Sequence, residues 1–350
     1  MPSHENYMQR CLELAGLGAG LVSPNPMVGC VLVMNGKIIA EGYHQKYGEA
    51  HAEANAIEYV LNNLDDAENK LKNSTLYVNL EPCSHIGKRP PCADLIIRHR
   101  IPEVIIGCRD PFEQVNGMGI KKLKEAGITV IENILHDKCL DFNRRFFTRI
   151  QKQRPYIILK WAQTSNGYFA PASPSQKWIS SDASKLLVQQ WRSEEDAVLV
   201  GKNTALLDNP QLNVREVMGR NPMRIVIDRH LSLPLTLNVF DQSQETLIFN
   251  SVKTETDGRI KYLRLDDFDN LLPQLILYQL YLMDIQSIII EGGVKTLELF
   301  IKAGLWDEAR IITGNNTWET GIKAPLISGK HIGQSELSTD TITILYNQNT

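Results

Sequence analysis

Long hydrophobic runs are missing from this 350-residue sequence. No apolar segment approaches the ~20 residues of a membrane span, and the start, MPSHENYMQRC, lacks the charged-then-apolar layout of a secretory signal. A membrane role is therefore not expected. Excess charge of one sign is missing too: 37 Lys and Arg stand against 40 Asp and Glu, a formal charge of -3. Without a Lys/Arg-rich stripe there is no electrostatic footprint for long nucleic acid, and Lys121-Lys122 and Arg144-Arg145 read as solvated faces. No GxGxxG follows a strand. Gly117-Met118-Gly119 lacks the third glycine and is expected in a loop, which disfavours a Rossmann dinucleotide site. Cysteine is scarce, with six in all. Cys11, Cys30, Cys108 and Cys139 sit among apolar neighbours without paired spacing and read as reduced core thiols, which favours the cytoplasm. What remains is an ordinary soluble chain, 43% hydrophobic, long enough for two domains with a sizeable core in each.

Against that background His51-Ala52-Glu53, Glu81-Pro82-Cys83 and Pro91-Cys92 stand out. One histidine and two thiolates fill three tetrahedral positions on Zn2+ and leave the fourth for a water whose pKa the metal lowers toward ~7. Glu53, two residues after the histidine, need not be a ligand. A carboxylate there can take the water's proton and pass it to a leaving amine, which points to hydrolytic deamination. Eight residues, Ser84 to Pro91, separate the two cysteines, where the short form of the pattern has two. That insertion is expected to line the substrate pocket with His85, Lys88 and Arg89, and Pro90-Pro91 pre-sets a helix from Cys92. The competing reading has His85 as a fourth ligand closing a structural site; a buried acid at Glu53 argues against it.

Helical spacing of Tyr7, Met8, Cys11, Leu12 and Ala15 is followed by the breaker Ser23-Pro24-Asn25-Pro26. Val28 to Met34 and Lys37 to Glu41 then read as a hairpin closed by Asn35-Gly36. His51 to Leu64 reads as a helix, Thr75 to Leu80 as a strand, Cys92 to Arg100 as a helix and Val104 to Cys108 as a strand. The result is a layered α/β domain with the metal at helix starts. A basic, apolar-poor stretch near Phe146 to Arg154 marks a boundary, giving domains 1–147 and 154–350. In the second, strands at Tyr156 to Lys160, Asp196 to Val200, Arg224 to Asp228, Thr246 to Phe249 and Ser287 to Ile290 alternate with helices such as Ser184 to Arg192 and Thr296 to Ala303. A mostly parallel sheet is expected. Ile288-Ile289-Ile290-Glu291-Gly292-Gly293 is a buried strand emptying into two glycines at a helix start, where amides can approach a pyrophosphate. Glycine serves steric needs at such turns in any sheet protein, so alone it is weak evidence. The polar end, Ser328 to Thr350, is expected to pack loosely.

This order of elements resembles the cytidine deaminase-like superfamily. Ser23 to Gly29, Glu81-Pro82-Cys83-Ser84-His85 through Lys88 and Pro90-Pro91-Cys92, Arg109-Asp110-Pro111 and Val115 to Gly119 look like the deaminase half of the bifunctional RibD family of riboflavin biosynthesis. The resemblance implies zinc on His51, Cys83 and Cys92, Glu53 as proton shuttle, and Asn25, His44 and Lys88 against a pyrimidine. Lys160 to Gly167, Trp178-Ile179-Ser180, Asp196 to Gly201, Thr204, Asp208-Asn209-Pro210 and Glu291-Gly292-Gly293 look like the reductase half, a dihydrofolate reductase-like fold using NADPH. It implies that Ala162, Trp178, Thr204, Asp208 and the run Gly293, Val294, Lys295, Thr296, Leu297, Glu298, Leu299 hold NADPH. Lys160, Arg192, Leu212, Arg215 and Glu291 would then face the substrate, Arg and Lys suiting its 5'-phosphate. Two departures stand out: Asn166 where an aspartate is usual, and Pro174 and Gln176 where Gly and Ser are common. They put in doubt a carboxylate role and a hydroxyl contact.

The implied chemistry is deamination of 2,5-diamino-6-(ribosylamino)pyrimidin-4-one 5'-phosphate, then reduction of its ribosyl to a ribityl side chain with NADPH. A dimer or tetramer is the oligomer that the resemblance makes plausible. Three rivals remain open: a nucleobase or tRNA deaminase with a catalytically silent accessory domain, a non-catalytic zinc module, and the same fold with one activity lost.

Overall fold

The structure is a computed structural model and describes residues 2–84, 90–112, 116–172 and 178–348. The chain divides into two compact units, Met1–Gln153 and Arg154–Thr350. In the first, α1 (His4–Gly16) leads to β1 (Gly29–Met34), β2 (Lys37–Tyr43), α2 (Ala52–Asn63), α3 (Ala67–Lys72), β3 (Thr75–Leu80), α4 (Cys92–Arg98), β4 (Glu103–Cys108), α5 (Met118–Glu125), β5 (Thr129–Ile131), α6 (His136–Phe142) and α7 (Arg144–Lys152). The expected hairpin is present. Met34 pairs with Lys37, and Asn35 and Gly36 both take positive φ, 52° and 73°, as a two-residue turn demands.

The sheet runs β2-β1-β3-β4-β5, antiparallel at β1 and parallel from β3 onward. Strand alternation sends Leu32, Leu76, Val78, Val104 and Ile106 to one face, where α2, α4 and α5 supply Ile57, Ile96 and Leu123. Val31, Val33, Tyr77 and Ile105 go to the other, against Met8 and Cys11 of α1, Cys139 of α6 and Phe146 of α7. Each fully buried aliphatic side chain here contributes about 1.5–3 kcal/mol. The free Cys11, Cys30, Cys108 and Cys139 are all buried, as core thiols should be. One expectation is corrected: Gly117-Met118-Gly119 opens α5 instead of lying in a loop. The basic stretch near the boundary is mostly α7, which buries Phe146, and the units part at Gln153.

In the second unit the elements are β6 (Tyr156–Gln163), β7 (Tyr168–Pro171), α8 (Asp182–Glu194), β8 (Ala197–Gly201), α9 (Lys202–Asp208), β9 (Met223–Ile227), β10 (Thr246–Asn250), β11 (Glu255–Asp257), β12 (Ile260–Arg264), α10 (Leu272–Leu282), β13 (Ser287–Gly292), α11 (Val294–Lys302), β14 (Glu308–Thr313), β15 (Gly321–Lys323), β16 (Lys330–Leu337) and β17 (Asp340–Tyr346). The main sheet runs β11-β12-β10-β9-β8-β13-β6-β14-β17-β16 and is parallel from β12 through β14. One face carries Leu159, Leu199, Phe249 and Ile290 against Ile276 of α10 and Phe300 of α11. Val188 and Trp191 of α8 and Ala205 of α9 pack on the other. The carboxyl-terminal segment is not loose. β17 pairs antiparallel with β14 from Thr341 to Tyr346, and Asn347 donates to the Trp306 carbonyl at 2.8 Å. Its sequence hid this because an edge hairpin with one wet face needs few apolar residues. No helix among the described residues is long and apolar enough to cross a membrane.

Candidate functional site

β2 delivers the chain to α2, whose N-cap is His51 and whose first turn carries Glu53; β3 ends in the Glu81 to Ser84 turn, and α4 starts at Cys92. Three elements thus bring one nitrogen and two sulfurs together, all within 4.8 Å of one another. His51 Nδ1 lies 3.6 Å from Cys83 Sγ and 3.4 Å from Cys92 Sγ. Ligands at ordinary Zn–S and Zn–N lengths and a tetrahedral angle sit about 3.6 Å apart, so the donors are spaced for that ion. The Cys92 amide, in the first turn of α4, donates to Cys83 Sγ at 3.3 Å, a positive helix end meeting a thiolate. Hydrogen bonds from Cys92 and His51 hold the Cys83 thiol down at about 4, whereas Cys92, beside that thiolate and buried, is pushed well up. Two adjacent sulfurs with only protons to share carry one negative charge; a dication would make thiolates of both.

Glu53 is only 3% exposed. Burial pushes its carboxyl up to about 7, against the pull of His51, and it is hydrogen-bonded to Cys92. A bound dication would act in the opposite direction. His44 stands beside the ligands, its ring edge-on to His51 with centroids 5.4 Å apart. His44 Nδ1 lies 3.0 Å from the Ala50 carbonyl. A carbonyl only accepts, so Nδ1 carries the proton and Nε2 receives the Asn25 amide at 3.1 Å. Burial lowers the His44 pKa and favours this neutral form. Asn25 and His44 are thereby joined at the metal-ligand end of the sheet; Lys88, His85 and Arg89 lie outside the described residues.

Several residues that hold this arrangement were not singled out from sequence. Asn143 brackets the Met27 backbone, its Oδ1 accepting from the amide at 2.8 Å and its Nδ2 donating to the carbonyl at 2.9 Å. Asn79 accepts from Gly29 at 2.8 Å and donates to the same carbonyl at 3.1 Å. These two fix the loop that presents Asn25. Asn143 is 116 residues from Met27, and no local pattern signals such a contact.

In the second unit, Lys160 on β6, Arg192 near the end of α8 and Glu291 on β13 converge at the carboxyl ends of the parallel strands. β6 lies between β13 and β14, where the path of the chain turns from one side of the sheet to the other, the usual place for a ligand crevice. Arg192 forks onto Glu291 and Lys160 Nζ stands 3.8 Å away. Burial alone would raise the Glu291 carboxyl, but the charges of Arg192 and Lys160 hold it at about 2; burial lowers Lys160.

Beside this triad, Gly201 and Gly293 are the N-caps of α9 and α11. A Cβ on Gly201 would stand 2.4 Å from Thr296 Oγ1, and one on Gly293 would stand 3.3 Å from Thr204 Oγ1. The two helix starts are therefore neighbours, with Thr204 and Thr296 between them and amides pointing outward. Val294, Lys295, Glu298 and Leu299 follow on α11, and Ala162 lies near the end of β6. Leu297 is fully buried in the core, and Leu212 packs with Val198 and Val226. Trp178 is 60% exposed with Lys185 Nζ 4.3 Å over its ring. Asp208 and Arg215 are exposed. Gln176 and Pro174 lie outside the described residues. Asn166 accepts from Thr164 Oγ1 at 2.8 Å and donates to the Trp318 carbonyl at 2.7 Å, a role an aspartate lacks the donor to fill.

Residues 1–108 match the cytidine and deoxycytidylate deaminase zinc-binding region, and residues 155–315 match the RibD C-terminal domain. The riboflavin biosynthesis protein RibD of Aquifex aeolicus is 38% identical over 345 residues, 97% of this chain and 91% of that protein. The Escherichia coli protein of the same name is 35% identical over 87% of this chain and 85% of its own length. Among solved structures, the diaminohydroxyphosphoribosylaminopyrimidine deaminase/5-amino-6-(5-phosphoribosylamino)uracil reductase of Thermotoga maritima superposes with a TM-score of 0.89 at 34% identity, over 98% of both chains. RibD of Acinetobacter baumannii gives 0.89 at 30% identity, over 98% of both. With its zinc-ligand geometry and both halves matched in order, the chain belongs to the RibD family: it is a bifunctional deaminase and reductase of riboflavin biosynthesis.

Proposed function

We propose that the first domain, 1–147, deaminates 2,5-diamino-6-(ribosylamino)pyrimidin-4-one 5'-phosphate, and that the second, 154–350, reduces the ribosyl group of the product with NADPH. The observation that carries the reading is the His51, Cys83 and Cys92 donor set with Glu53 buried beside it. Bound by these three residues, Zn2+ supplies the polarisation that makes water a nucleophile at neutral pH. Glu53 accepts the proton of the attacking water and delivers it to the 2-amino group, which leaves as ammonia while the ring carbon gains a carbonyl. Asn25 and the neutral His44 offer amide and imidazole groups to the pyrimidine edge, and Lys88 a cation.

NADPH, when bound, supplies the hydride that turns the ribosyl into a ribityl chain. The start of α11 offers amides to its phosphates, with Thr204, Asp208, Ala162 and Trp178 around the rest. Lys160, Arg192 and Glu291 orient the substrate, Leu212 touches it through backbone alone, and Arg215 meets its phosphate by exchanging its exposed contacts with Gln211 and Glu216 for the anion. The protein works as a dimer or tetramer in the cytoplasm, where its six cysteines, none of them in a disulfide, stay reduced. A silent accessory domain fits less well, since the match to bifunctional relatives runs through both halves.

The test is NADPH oxidation by the zinc-loaded protein given the diaminopyrimidinone ribosylamino phosphate, beside Glu53→Gln. Oxidation by the wild type, and by the variant only with the already deaminated compound, is the expected result. Oxidation by neither with the deaminated compound overturns the reductase half of the reading.

A further inference from the structure

We propose that Glu81 is a positioning residue of the zinc site, locking the turn that carries Cys83 onto α5, a helix that supplies no ligand. The proposal rests on reading His51, Cys83 and Cys92 as the zinc ligands. Glu81 stands two residues before Cys83 and is 4% exposed. Its carboxylate is not directed to the ligands. Oε1 accepts the amides of Gly119 at 2.9 Å and Ile120 at 3.2 Å, and Oε2 those of Gly117 at 2.9 Å and Asp110 at 3.3 Å. All four donors come from a segment 29 to 39 residues further along.

Gly119 makes the approach possible. A Cβ there would stand 2.1 Å from the Pro82 carbonyl oxygen and 3.2 Å from Glu81 Oε1, so no side chain fits between α5 and the ligand turn. The turn is held from three sides. The Glu81 amide donates to the Cys108 carbonyl at 2.9 Å, the Cys83 carbonyl accepts from Ala93 at 3.1 Å, and the Glu81 carboxylate takes the amides around the start of α5. An ordinary helix cap would need one acceptor. A carboxylate with both oxygens doubly satisfied fixes its own backbone in every direction, and Pro82 passes that rigidity to Cys83.

Glutamine is the informative substitution. It keeps the size and one acceptor oxygen but turns an NH2 toward two amide N–H groups, donor against donor. Aspartate keeps the charge and is one methylene short. The test uses the full chain, stripped of metal and titrated with Co2+. Wild type, Glu81→Gln and Glu81→Asp are compared in the thiolate-to-cobalt and ligand-field absorption bands, in zinc affinity by chelator competition, and in urea unfolding of the metal-free protein. The expected result is altered cobalt bands and at least tenfold weaker zinc binding in Glu81→Gln, partial recovery in Glu81→Asp, and cooperative unfolding of both metal-free variants. Unchanged bands and affinity overturn the proposal. So does loss of cooperative unfolding, which would assign Glu81 to the fold alone. A wild type showing no thiolate band at all refutes the ligand reading underneath instead.

Discussion

Arg192 grips Glu291 with two parallel hydrogen bonds, Nε to Oε1 at 2.7 Å and Nη2 to Oε2 at 2.8 Å, across 99 residues of sequence. The fork joins the end of α8 to the end of β13 just before the Gly292-Gly293 turn. It fixes the geometry of the crevice before any ligand arrives. Because Glu291 is held at about 2 in the folded protein against an ordinary 4.5, it contributes stability that is fully present above about pH 4.5. That stability is lost as pH falls toward about 2, and amounts to about 3 kcal/mol at most.

Glu291→Gln should therefore destabilise the second unit at pH 7 by about 3 kcal/mol, since it leaves Arg192 and Lys160 buried without a counter-charge. The gap between wild type and variant should narrow as the pH is lowered from 5 to 3. Urea midpoints across that range decide the matter: a gap independent of pH would mean that Glu291 acts by packing alone.

At Asn166, where the sequence reading expects an aspartate, the structure shows what the amide does. Its Nδ2 donates to the Trp318 carbonyl while its Oδ1 accepts from Thr164 and Trp318. Asn166→Asp replaces that donor by an acceptor facing a carbonyl. The second unit should lose about 1–2 kcal/mol in chemical unfolding, with the first unaffected. An unchanged midpoint would show the clip to be dispensable.

Gly42 on β2 lies against the start of α2. An added Cβ would stand 2.3 Å from the Ala52 carbonyl oxygen and 2.6 Å from the Ala56 nitrogen. Gly42→Ala should force α2 outward, carrying Glu53 with it, and cost about 2–3 kcal/mol. Gly48 has a positive φ of 85° and open space around it, so Gly48→Ala should cost only backbone strain, about 1 kcal/mol. Thermal melts of both variants, read with deaminase turnover, check the ranking; equal losses in both would refute the steric account.

Legibility in the sequence followed the range of the interaction. The candidate donor set was readable because metal chemistry restricts residue type, and the Asn35-Gly36 hairpin because only a tight turn needs two positive φ values in succession. The β17 strand was not, since Ile342 and Ile344 are sparse among polar residues and their partners on β14 lie far away in sequence. Nor were the four amides on Glu81 or the Asn143 clasp on Met27, where the residue types are common and only the tertiary fold supplies the partner. The Cys83 to Cys92 spacing pointed to a pocket loop, and residues 85–89 of that loop fall outside the described structure.

Removing the metal should separate the two activities. The candidate ligands all lie in the first unit, and the crevice of Lys160, Arg192 and Glu291 lies in the second. Dialysis against a chelator should abolish ammonia release, leave NADPH oxidation with the already deaminated substrate intact, and be reversed by adding zinc. Cys83→Ser should lose zinc and deamination together, because the hydroxyl is a poor replacement for a thiolate ligand. Glu53→Gln should keep its zinc yet lose deamination by about 10²–10⁴-fold, the range expected when a proton-transfer group is removed. Metal content by atomic absorption, measured on each variant beside both activities, separates the roles. Zinc loss in Glu53→Gln would make Glu53 a ligand, and loss of NADPH oxidation on chelation would show that the second unit depends on the metal as well.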